Sequence, residues 1–224
     1  MSAAGVARTD AILLDLDGTL ADSRPGIVTC FKFMLQKLGH DPSTAGDLTA
    51  LVGPPIAVSI RTLLSRYNDD RVELGLATYR AHYSEVGLYD VNAFPGVAEM
   101  LAALHTTGRP LCVATSKRRD FAERVVTFLG FEQMLPRVWG ALPGGGLDDK
   151  KDMIAELLRV EGFDPSGTVM IGDRYHDIEA AKANSLRSIG VLWGYGGEQE
   201  LRAAGADHLA ASPADLAGEV SRTS

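Results

Sequence analysis

The sequence predicts an α/β protein with a parallel β-sheet, because short apolar runs alternate with helical patterns along most of the chain. The runs are continuously apolar rather than alternating with polar residues, which is typical of strands covered on both faces. Apolar residues at helical spacing lie between most of them, such as Val97, Leu101 and Leu104. We therefore predict a doubly wound, Rossmann-like parallel sheet with helices on both faces. The predicted strands are residues 11–17, 110–116, 137–142, 167–173 and 187–193.

One long segment interrupts this alternation. Residues 22–91 show three helical stripes, which begin at Ile27, Ile56 and Val72, and they show no strand pattern. A purely helical segment of this length is too long for an ordinary crossover between strands. We therefore predict an all-helical cap domain at residues 22–91, inserted into an α/β catalytic core of residues 1–21 and 92–224. The two linkers are expected near residues 20–23 and 89–94.

Composition restricts the class of partner. The chain has 224 residues, and 22 basic against 29 acidic side chains give a formal net charge of −7. This balance argues against nucleic-acid polymers and anionic membranes, because both select a basic surface. No apolar stretch reaches the roughly 18 residues that span a bilayer, and no leader-like run precedes the first strand. We expect a cytoplasmic protein, monomeric or weakly dimeric, with an N-terminus that is part of the fold and with Cys30 and Cys112 as buried free thiols.

Four of the five predicted strands end in reactive side chains or lead directly to them. In a parallel open sheet the ligand binds beyond the carboxyl ends of the strands, so side chains that follow different strands converge there. Each residue alone also has an ordinary structural explanation, such as a turn, a helix cap or a solvated side chain. Their joint occurrence in this order favours a functional site. The residues are Asp15, Asp17, Thr115, Ser116, Lys150, Asp173 and Asp177.

The acidic members of this set predict a metal site. Two carboxylates about 4 Å apart repel by about 4 kcal/mol at an effective dielectric constant near 20. One of them is then protonated, or a cation lies between them. A few hard oxygen ligands beside a phosphate favour Mg²⁺ over calcium or zinc. The predicted metal acids are Asp15, Asp17, Asp173 and Asp177.

The same residues contain every group that metal-assisted phosphoryl transfer requires. A carboxylate can attack phosphorus, and a second carboxylic group can protonate the leaving oxygen and then deprotonate water. Phosphoryl oxygens need hydrogen-bond donors and positive charge. Suitable donors are the Lys150 ammonium, the Thr115 hydroxyl and the backbone N–H groups of Gly18 and Ser116. The substrate expected from these residues is a small phosphorylated metabolite.

These motifs resemble the haloacid dehalogenase-like hydrolase superfamily over nearly the whole chain. The segment DLDGTLADS from Asp15 is similar to its first motif, and VATSK, with Thr115, is similar to its second. DKKDMI contains Lys150, and GDRYHDIEAAKAN contains Asp173 and Asp177, in the third and fourth motifs. The resemblance implies a Mg²⁺-dependent aspartyl-phosphate mechanism with Asp15 as nucleophile and Asp17 as acid and base. It also implies a helical cap inserted after the first motif.

Within that superfamily the chain most resembles phosphoglycolate phosphatase-like enzymes and a 5′-nucleotidase-like subgroup. The segments most similar to the 5′-nucleotidase-like subgroup are residues 52–55, 79–80, 94–97, 114–117 and 190–196. The presence of Asp17 argues against a dehalogenase, which lacks this second acid. A phosphonate hydrolase would need a cap lysine, whereas Lys32 and Lys37 lie on an amphipathic helix where solvated positions are expected. A sugar-phosphate phosphatase, a phosphomutase and a non-catalytic phosphate-binding module remain as alternatives.

A few residues outside the motifs have predicted positions. Gly53, Pro54 and Pro55 form a rigid loop that is expected to face the active site. Lys150 is preferred over the adjacent Lys151 as the active-site lysine because of its spacing to the residues that follow. His176 is expected in an exposed loop. Surface roles are expected for the cap arginines Arg24 and Arg61.

Overall fold

The computed structural model describes residues 10–143 and 145–222. Within them lie eight strands: β1 (Ile12–Leu14), β2 (Ala21–Asp22), β3 (Asn92–Ala93), β4 (Leu111–Arg118), β5 (Arg137–Ala141), β6 (Val169–Gly172), β7 (Arg187–Val191) and β8 (His208–Ala210). The same residues form nine α-helices: α1 (Arg24–Lys37), α2 (Ile56–Ser65), α3 (Val72–Glu85), α4 (Val97–His105), α5 (Arg119–Phe128), α6 (Lys150–Glu161), α7 (Tyr175–Ala183), α8 (Gly197–Ala204) and α9 (Pro213–Arg222).

Six parallel strands form the central sheet in the order β5–β4–β1–β6–β7–β8. All five predicted strands are present, and the predicted doubly wound sheet is confirmed. Strand β8 was not predicted, because its three residues include the exposed His208 and form no apolar run. The prediction that the N-terminus belongs to the fold concerns residues 1–9, which lie outside the described residues.

Both faces of the sheet are covered. Ile12 and Leu14 of β1 pack into one buried hydrophobic cluster, whereas Leu13, between them, packs into a second cluster with Ile154 of α6. Because neighbouring side chains of a strand point to opposite faces, the two clusters lie on opposite sides of the sheet. All three β1 residues are fully buried, which explains the continuous apolar pattern of the sequence.

The helical patterns of the sequence are confirmed by the structure. Every apolar stripe found in the sequence corresponds to a helix, but two stripes extend too far. Phe128 and Val160, near the carboxyl ends of their helices, are about half exposed, at 50% and 53%. A periodic pattern does not show where a helix leaves the core, so the last apolar residue of a stripe can lie beyond the buried part of the helix.

The described segment between β2 and β3 consists of helices joined by loops and contains no strand. It contains α1, α2 and α3 and short 3-10 helices at Pro42–Thr44, Thr49–Leu51 and Gly87–Tyr89. We call residues 24–89 the helical insert. At its ends β2 and β3 pair antiparallel, where the sequence predicted linkers without strands. Met34 and Leu63 of the insert belong to the same buried cluster as Ile12, so the division into two domains stays a prediction.

The order of the strands sets the place of the site. After β1 the chain forms β4 and β5 on one side of it and then crosses to β6 on the other side. This reversal at the β1–β6 pair opens a crevice at the carboxyl ends of the two strands, which is where ligands bind in such sheets. No helix in the described ranges is long and apolar enough to cross a membrane.

Candidate active site

Three carboxylates meet at the carboxyl ends of β1 and β6. Asp15 follows β1, Asp173 follows β6, and Asp177 lies in the first turn of α7. One oxygen of each lies within 4.8 Å of an oxygen of the others, and all three residues are buried. The Asp15 amide donates to the Ile171 carbonyl at 2.9 Å, which joins the two strand ends. The convergence predicted for these acids is therefore present.

Lys150 contacts two of the three acids. It is the first residue of α6, whose N-cap, Asp149, accepts a hydrogen bond from the Lys151 amide at 2.8 Å. The Lys150 Nζ lies 2.9 Å from Asp15 Oδ1 and donates to Asp177 Oδ1. Lys150 is buried, whereas the neighbouring Lys151 is half exposed and faces solvent. Of the two adjacent lysines, the structure therefore places Lys150, and not Lys151, beside the clustered acids.

The charges of this cluster do not balance. Burial raises the pKa of Asp15 to about 6, although the Lys150 ammonium opposes the shift. Burial, and then the charges of Asp177 and Asp15, hold the pKa of Asp173 well above its usual range. Burial by itself would lower the pKa of Lys150, but Asp15 and Asp177 outweigh it and raise that pKa. Three carboxylates around one ammonium fit a further cation, and their hard oxygens suit a divalent one.

The Asp17 carboxylate lies outside this cluster. Both of its oxygens accept from the Lys117 Nζ, at 2.7 and 2.6 Å. Lys117 is itself buried, and its Nζ lies 5.0 Å from the centre of the Tyr83 ring. The structure therefore does not place the Asp17 side chain among the metal acids, contrary to the sequence-based expectation. Asp17 is two residues beyond Asp15, where the chain has already turned away from β1, so the two carboxylates diverge.

Gly18 has a different role from the one predicted. Its amide donates to the Ala21 carbonyl at 2.9 Å, so the turn after β1 already uses the N–H that was expected to bind phosphate. Gly18 has a φ of +90°, and a Cβ atom at this position would overlap the Asp173 carboxylate. The residue is glycine because the acid of the neighbouring strand passes directly over its backbone. Asp173 also accepts from the Tyr195 amide at 2.7 Å.

A small cavity lies beside Asp15 and Asp17, between the sheet and the helical insert. We call it the inner cavity, and its volume is about 60 Å³. Thr115 and Ser116 of β4 line it as predicted, at a point where the pairing of β4 with β5 shifts register. Gly53 and Pro54 also line it, so the predicted approach of this loop is confirmed. The other lining residues are Ile27, Leu51, Val52, Ile56, Tyr79, Arg80, Tyr83, Lys117, Arg118 and Phe121.

A wider groove continues from the inner cavity towards solvent. We call it the outer groove; its volume is about 750 Å³, and residues of α2, α3, α6 and α7 line it. Lys150 and His176 lie along the core side of the groove, and Pro55 and Leu76 along the insert side. Four residues line both spaces, namely Ile56, Arg80, Ser116 and Arg118. The two spaces are therefore adjacent parts of one site.

Comparisons with known proteins agree with this geometry. The family model of haloacid dehalogenase-like hydrolases matches residues 12–191, which include every acid of the cluster and Lys150. The chain belongs to this family. A 5′-nucleotidase of Pseudomonas aeruginosa is 37% identical over 207 residues, which are 92% of each chain. A phosphoglycolate phosphatase of Neisseria meningitidis is 31% identical, with 86% of this chain and 84% of that one covered.

Two further relatives extend the comparison. The tyrosine-protein kinase PtkA of Mycobacterium tuberculosis is 38% identical over 83% of this chain, but the match spans only 62% of PtkA. The crystal structure of a predicted phosphatase from Clostridium acetobutylicum superposes with a TM-score of 0.87 at 30% identity, covering 96% of this chain and 100% of that one. Together with the phosphatase relatives, the family identifies the chain as a phosphoric monoester hydrolase.

Sequence reasoning missed several residues of this hydrolase site. Lys117 is the last residue of the VATSK motif but received no role, and Tyr83 belongs to the helical stripe that begins at Val72. Arg80 lies one position from that stripe. With Tyr79 it forms one of the segments that resemble the 5′-nucleotidase-like subgroup, but it received no role in the site. Each of them lines the inner cavity only because the insert packs over the sheet.

The prediction for His176 is wrong. The residue lies in the first turn of α7, not in a loop, and it is half-buried with its Nε2 unpartnered among the described residues. Burial, followed by the Lys150 and Arg174 charges, lowers the pKa of His176 to about 4. The sequence did not show that His176 is half-buried, because a residue in the first turn of a helix can face either the core or solvent. Cys30 and Cys112 are buried free thiols, as predicted.

Proposed function

We propose that the chain is a Mg²⁺-dependent phosphomonoester hydrolase that acts on a small phosphorylated metabolite through an aspartyl-phosphate at Asp15. The observation that best supports this proposal is the buried cluster in which Lys150 joins Asp15 and Asp177 beside Asp173. Three hard carboxylate oxygens suit Mg²⁺, and the bound ion supplies positive charge to the phosphoryl oxygens. Asp15, Asp173 and Asp177 are the residues that would hold it.

In the first half-reaction, an Asp15 Oδ atom forms a bond to phosphorus while the bond from phosphorus to the leaving oxygen breaks. Asp17 gives its proton to that oxygen, so the product leaves as a neutral alcohol. The Lys150 ammonium and the Thr115 hydroxyl supply donors to the phosphoryl oxygens. Lys117 has to release the Asp17 carboxylate for this step, since an ion-paired carboxylate has no proton to donate.

In the second half-reaction, Asp17 acts as the base. Its carboxylate takes a proton from water as the water oxygen bonds to phosphorus, and the bond from phosphorus to Asp15 Oδ breaks. Phosphate is released, Asp15 is again a carboxylate and Asp17 is again protonated. The Lys117–Asp17 ion pair stabilises the carboxylate form that begins this half-reaction. Splitting the displacement in this way replaces one difficult step with two easier ones.

The proposed substrates are nucleoside 5′-monophosphates or phosphoglycolate, the two classes named by the relatives. The inner cavity is only about 60 Å³, so a leaving group larger than a few atoms extends into the outer groove or requires the insert to move. A sugar phosphate is a further candidate, with hydrolysis or phosphoryl transfer within the sugar as the reaction.

A phosphate-release panel tests this proposal. Purified protein should release phosphate from an aryl phosphate with Mg²⁺, and excess EDTA should abolish the release. The panel should then compare nucleoside 5′-monophosphates, phosphoglycolate and sugar phosphates. Asp15→Asn should lose turnover while keeping its circular dichroism spectrum; turnover in that variant would exclude Asp15 as nucleophile. Tight binding without turnover would indicate a non-catalytic module, and isomerised product in excess of phosphate would indicate a mutase.

A further inference from the structure

An unpaired arginine lies where the inner cavity meets the outer groove. Arg80, on α3 of the helical insert, lines both spaces, together with Arg118 of β4. It is therefore close to any substrate that has its phosphate at Asp15 and the rest of its atoms towards the groove. The side chain is half-buried, so it is not one of the freely solvated arginines of a protein surface.

The two arginines at this junction differ in their partners. Arg118 donates to both carboxylate oxygens of Asp120, at 2.8 and 2.5 Å, and its guanidinium lies 4.5 Å from the centre of the Phe121 ring. Arg80 forms no ion pair with any residue in the described ranges, and its buried Nε has no hydrogen-bond partner there. Burial and the nearby Arg118 charge lower the pKa of Arg80, although the carboxylates of Asp148, Glu73 and Asp120 oppose the shift.

A buried donor without a partner destabilises the folded chain unless a ligand or water satisfies it. A guanidinium is a planar fork of donors that matches the two oxygens of a carboxylate or the oxygens of a phosphate. The cluster at Asp15 does not need this charge, because Lys150 and the proposed cation already serve the transferring phosphoryl group. Arg80 instead lines the junction through which a leaving group would extend from the inner cavity into the outer groove.

We propose that Arg80 is a specificity-determining residue that binds a second anionic group on the leaving-group part of the substrate. This inference rests on the proposed function and narrows its substrate class. A phosphorylated hydroxy acid with a carboxylate near its phosphate satisfies Arg80, whereas a nucleoside 5′-monophosphate, with a neutral leaving group, leaves the guanidinium unpaired. The small inner cavity agrees with a short leaving group.

A matched pair of substrates tests the assignment. Phosphoglycolate and 2-hydroxyethyl phosphate differ only in a carboxylate in place of a hydroxymethyl group. A hydrogen bond to a charged group corresponds to about a tenfold to hundredfold difference in kcat/KM, so the wild-type chain should prefer phosphoglycolate by that factor. Arg80→Gln should remove most of this preference, mainly through KM for phosphoglycolate. Arg80→Lys, which keeps the charge but not the fork, should give an intermediate ratio.

Two controls make the result decisive. Arg61→Gln changes an exposed arginine of α2 that lines neither space, and its substrate ratio should equal the wild-type value. Thermal unfolding of all variants separates loss of folding from loss of selectivity. If Arg80→Gln does not fold, Arg80→Lys still provides a ratio of kcat/KM for the two substrates to compare with the wild-type value.

Three results would overturn the inference. A wild-type chain that prefers nucleoside monophosphates or hydroxyethyl phosphate would contradict it, as would an unchanged ratio in Arg80→Gln. An equal loss on both members of the pair would place Arg80 at the transferring phosphate instead. Each of these results requires turnover, whereas failure of the proposed function itself would appear as no phosphate release from any substrate.

Discussion

The two walls of the inner cavity differ in how completely their polar groups are paired. On the sheet side, Asp15 contacts Lys150, and Asp173 accepts from the Tyr195 amide. On the insert side, the guanidinium of Arg80 has no partner among the described residues, and the other insert residues that line the cavity are aromatic or apolar. The charged groups on the sheet side are therefore already paired before substrate binds. On the insert side, Arg80 keeps hydrogen-bond donors free for a group of the substrate. Preorganised charges are what accelerate phosphoryl transfer.

Removing the Lys150 ammonium from the sheet side should have the largest effect on kcat. In Lys150→Met, kcat for any phosphate monoester should fall by roughly 10²–10³-fold, the usual cost of losing one donor to a developing charge. The same change at Lys151, which is half exposed and bonds none of the clustered acids, is the matched control and should lower kcat less than twofold. Steady-state kinetics on a common substrate measures both. An equal loss in the two variants would contradict the assignment of Lys150.

Alanine substitutions at Gly18 and Gly53 compare how closely the backbone is packed on the sheet side and on the insert side of the inner cavity. Gly18→Ala should lose activity and about 1–3 kcal/mol of unfolding free energy beyond backbone strain, because its Cβ meets the buried Asp173 carboxylate. At Gly53, with a φ of +112°, the Cβ lies 2.9 Å from Arg174 Nη1, the end of a flexible side chain, so Gly53→Ala should cost less. Urea unfolding and kcat measure the difference.

Gly39 isolates the backbone contribution to that comparison. It has a φ of +87°, and a Cβ atom added there would have nothing within 4 Å, so Gly39→Ala should cost about 1 kcal/mol from conformation alone. Equal losses of unfolding free energy at Gly18 and Gly39 would show that the approach of Asp173 has no energetic consequence.

Stability should depend on pH and Mg²⁺ in a linked way. The pKa of Asp15 is raised to about 6 from its ordinary value of 3.8, so the folded chain holds a proton more tightly than the unfolded chain. The resulting contribution of Asp15 to the unfolding free energy is fully present below about pH 4 and is lost as pH rises through about 6. A cation replaces the lost proton, so the increase in Tm with Mg²⁺ should be larger at about pH 7.5 than at about pH 5.

Differential scanning fluorimetry at the two pH values measures this increase. Asp173→Asn removes one carboxylate of the cluster and should reduce the Mg²⁺ effect at the higher pH. A Mg²⁺ effect that is independent of pH would contradict binding at these three acids.

The smallest effect is expected where the insert contacts the core away from the site. Arg124 of α5 donates to the Ser84 carbonyl and to the Tyr89 hydroxyl, at 2.6 and 2.9 Å. Arg124→Gln should lower the unfolding free energy by about 1 kcal/mol or less, because these bonds are partly exposed, and should leave kcat within twofold. Arg119→Gln, on the same helix with an exposed ion pair to Glu123, is the control and should change stability less. A large loss of kcat in Arg124→Gln would show instead that this contact fixes the position of the helical insert over the active site.

Much of the sheet side could be predicted from the sequence. Asp15 and Asp173 directly follow strands, Thr115 lies near the end of one, and Lys150 begins the helix after another. Each of these strands is visible as an apolar run, and parallel strands bring their carboxyl ends to one edge. Their convergence therefore required only the correct strand assignment. Asp17 and Gly18 were harder, because the chain has left the strand and its turn decides where the carboxylate and the amide point.

The insert side could not be predicted in the same way. Arg80 and Tyr83 belong to α3, and nothing in a helical pattern shows which core residues the helix will face. Their position depends on how three helices pack over a sheet from which they are separated by many residues in sequence. Such contacts are long-range, and a local pattern contains no information about them.

The sequence by itself predicted the family through its motifs, the convergence of the reactive acids at one edge of the sheet, and a phosphoryl group as the reacting part of the substrate. These follow from local motifs placed at the ends of buried strands, where side-chain direction is set by the backbone. Only the tertiary structure decided that Lys117 holds Asp17, that the Gly18 amide closes a turn, and that Arg80 lines the inner cavity without a partner among the described residues. The physical reason is that pairing between charges depends on distances across the fold, which separation along the chain does not specify.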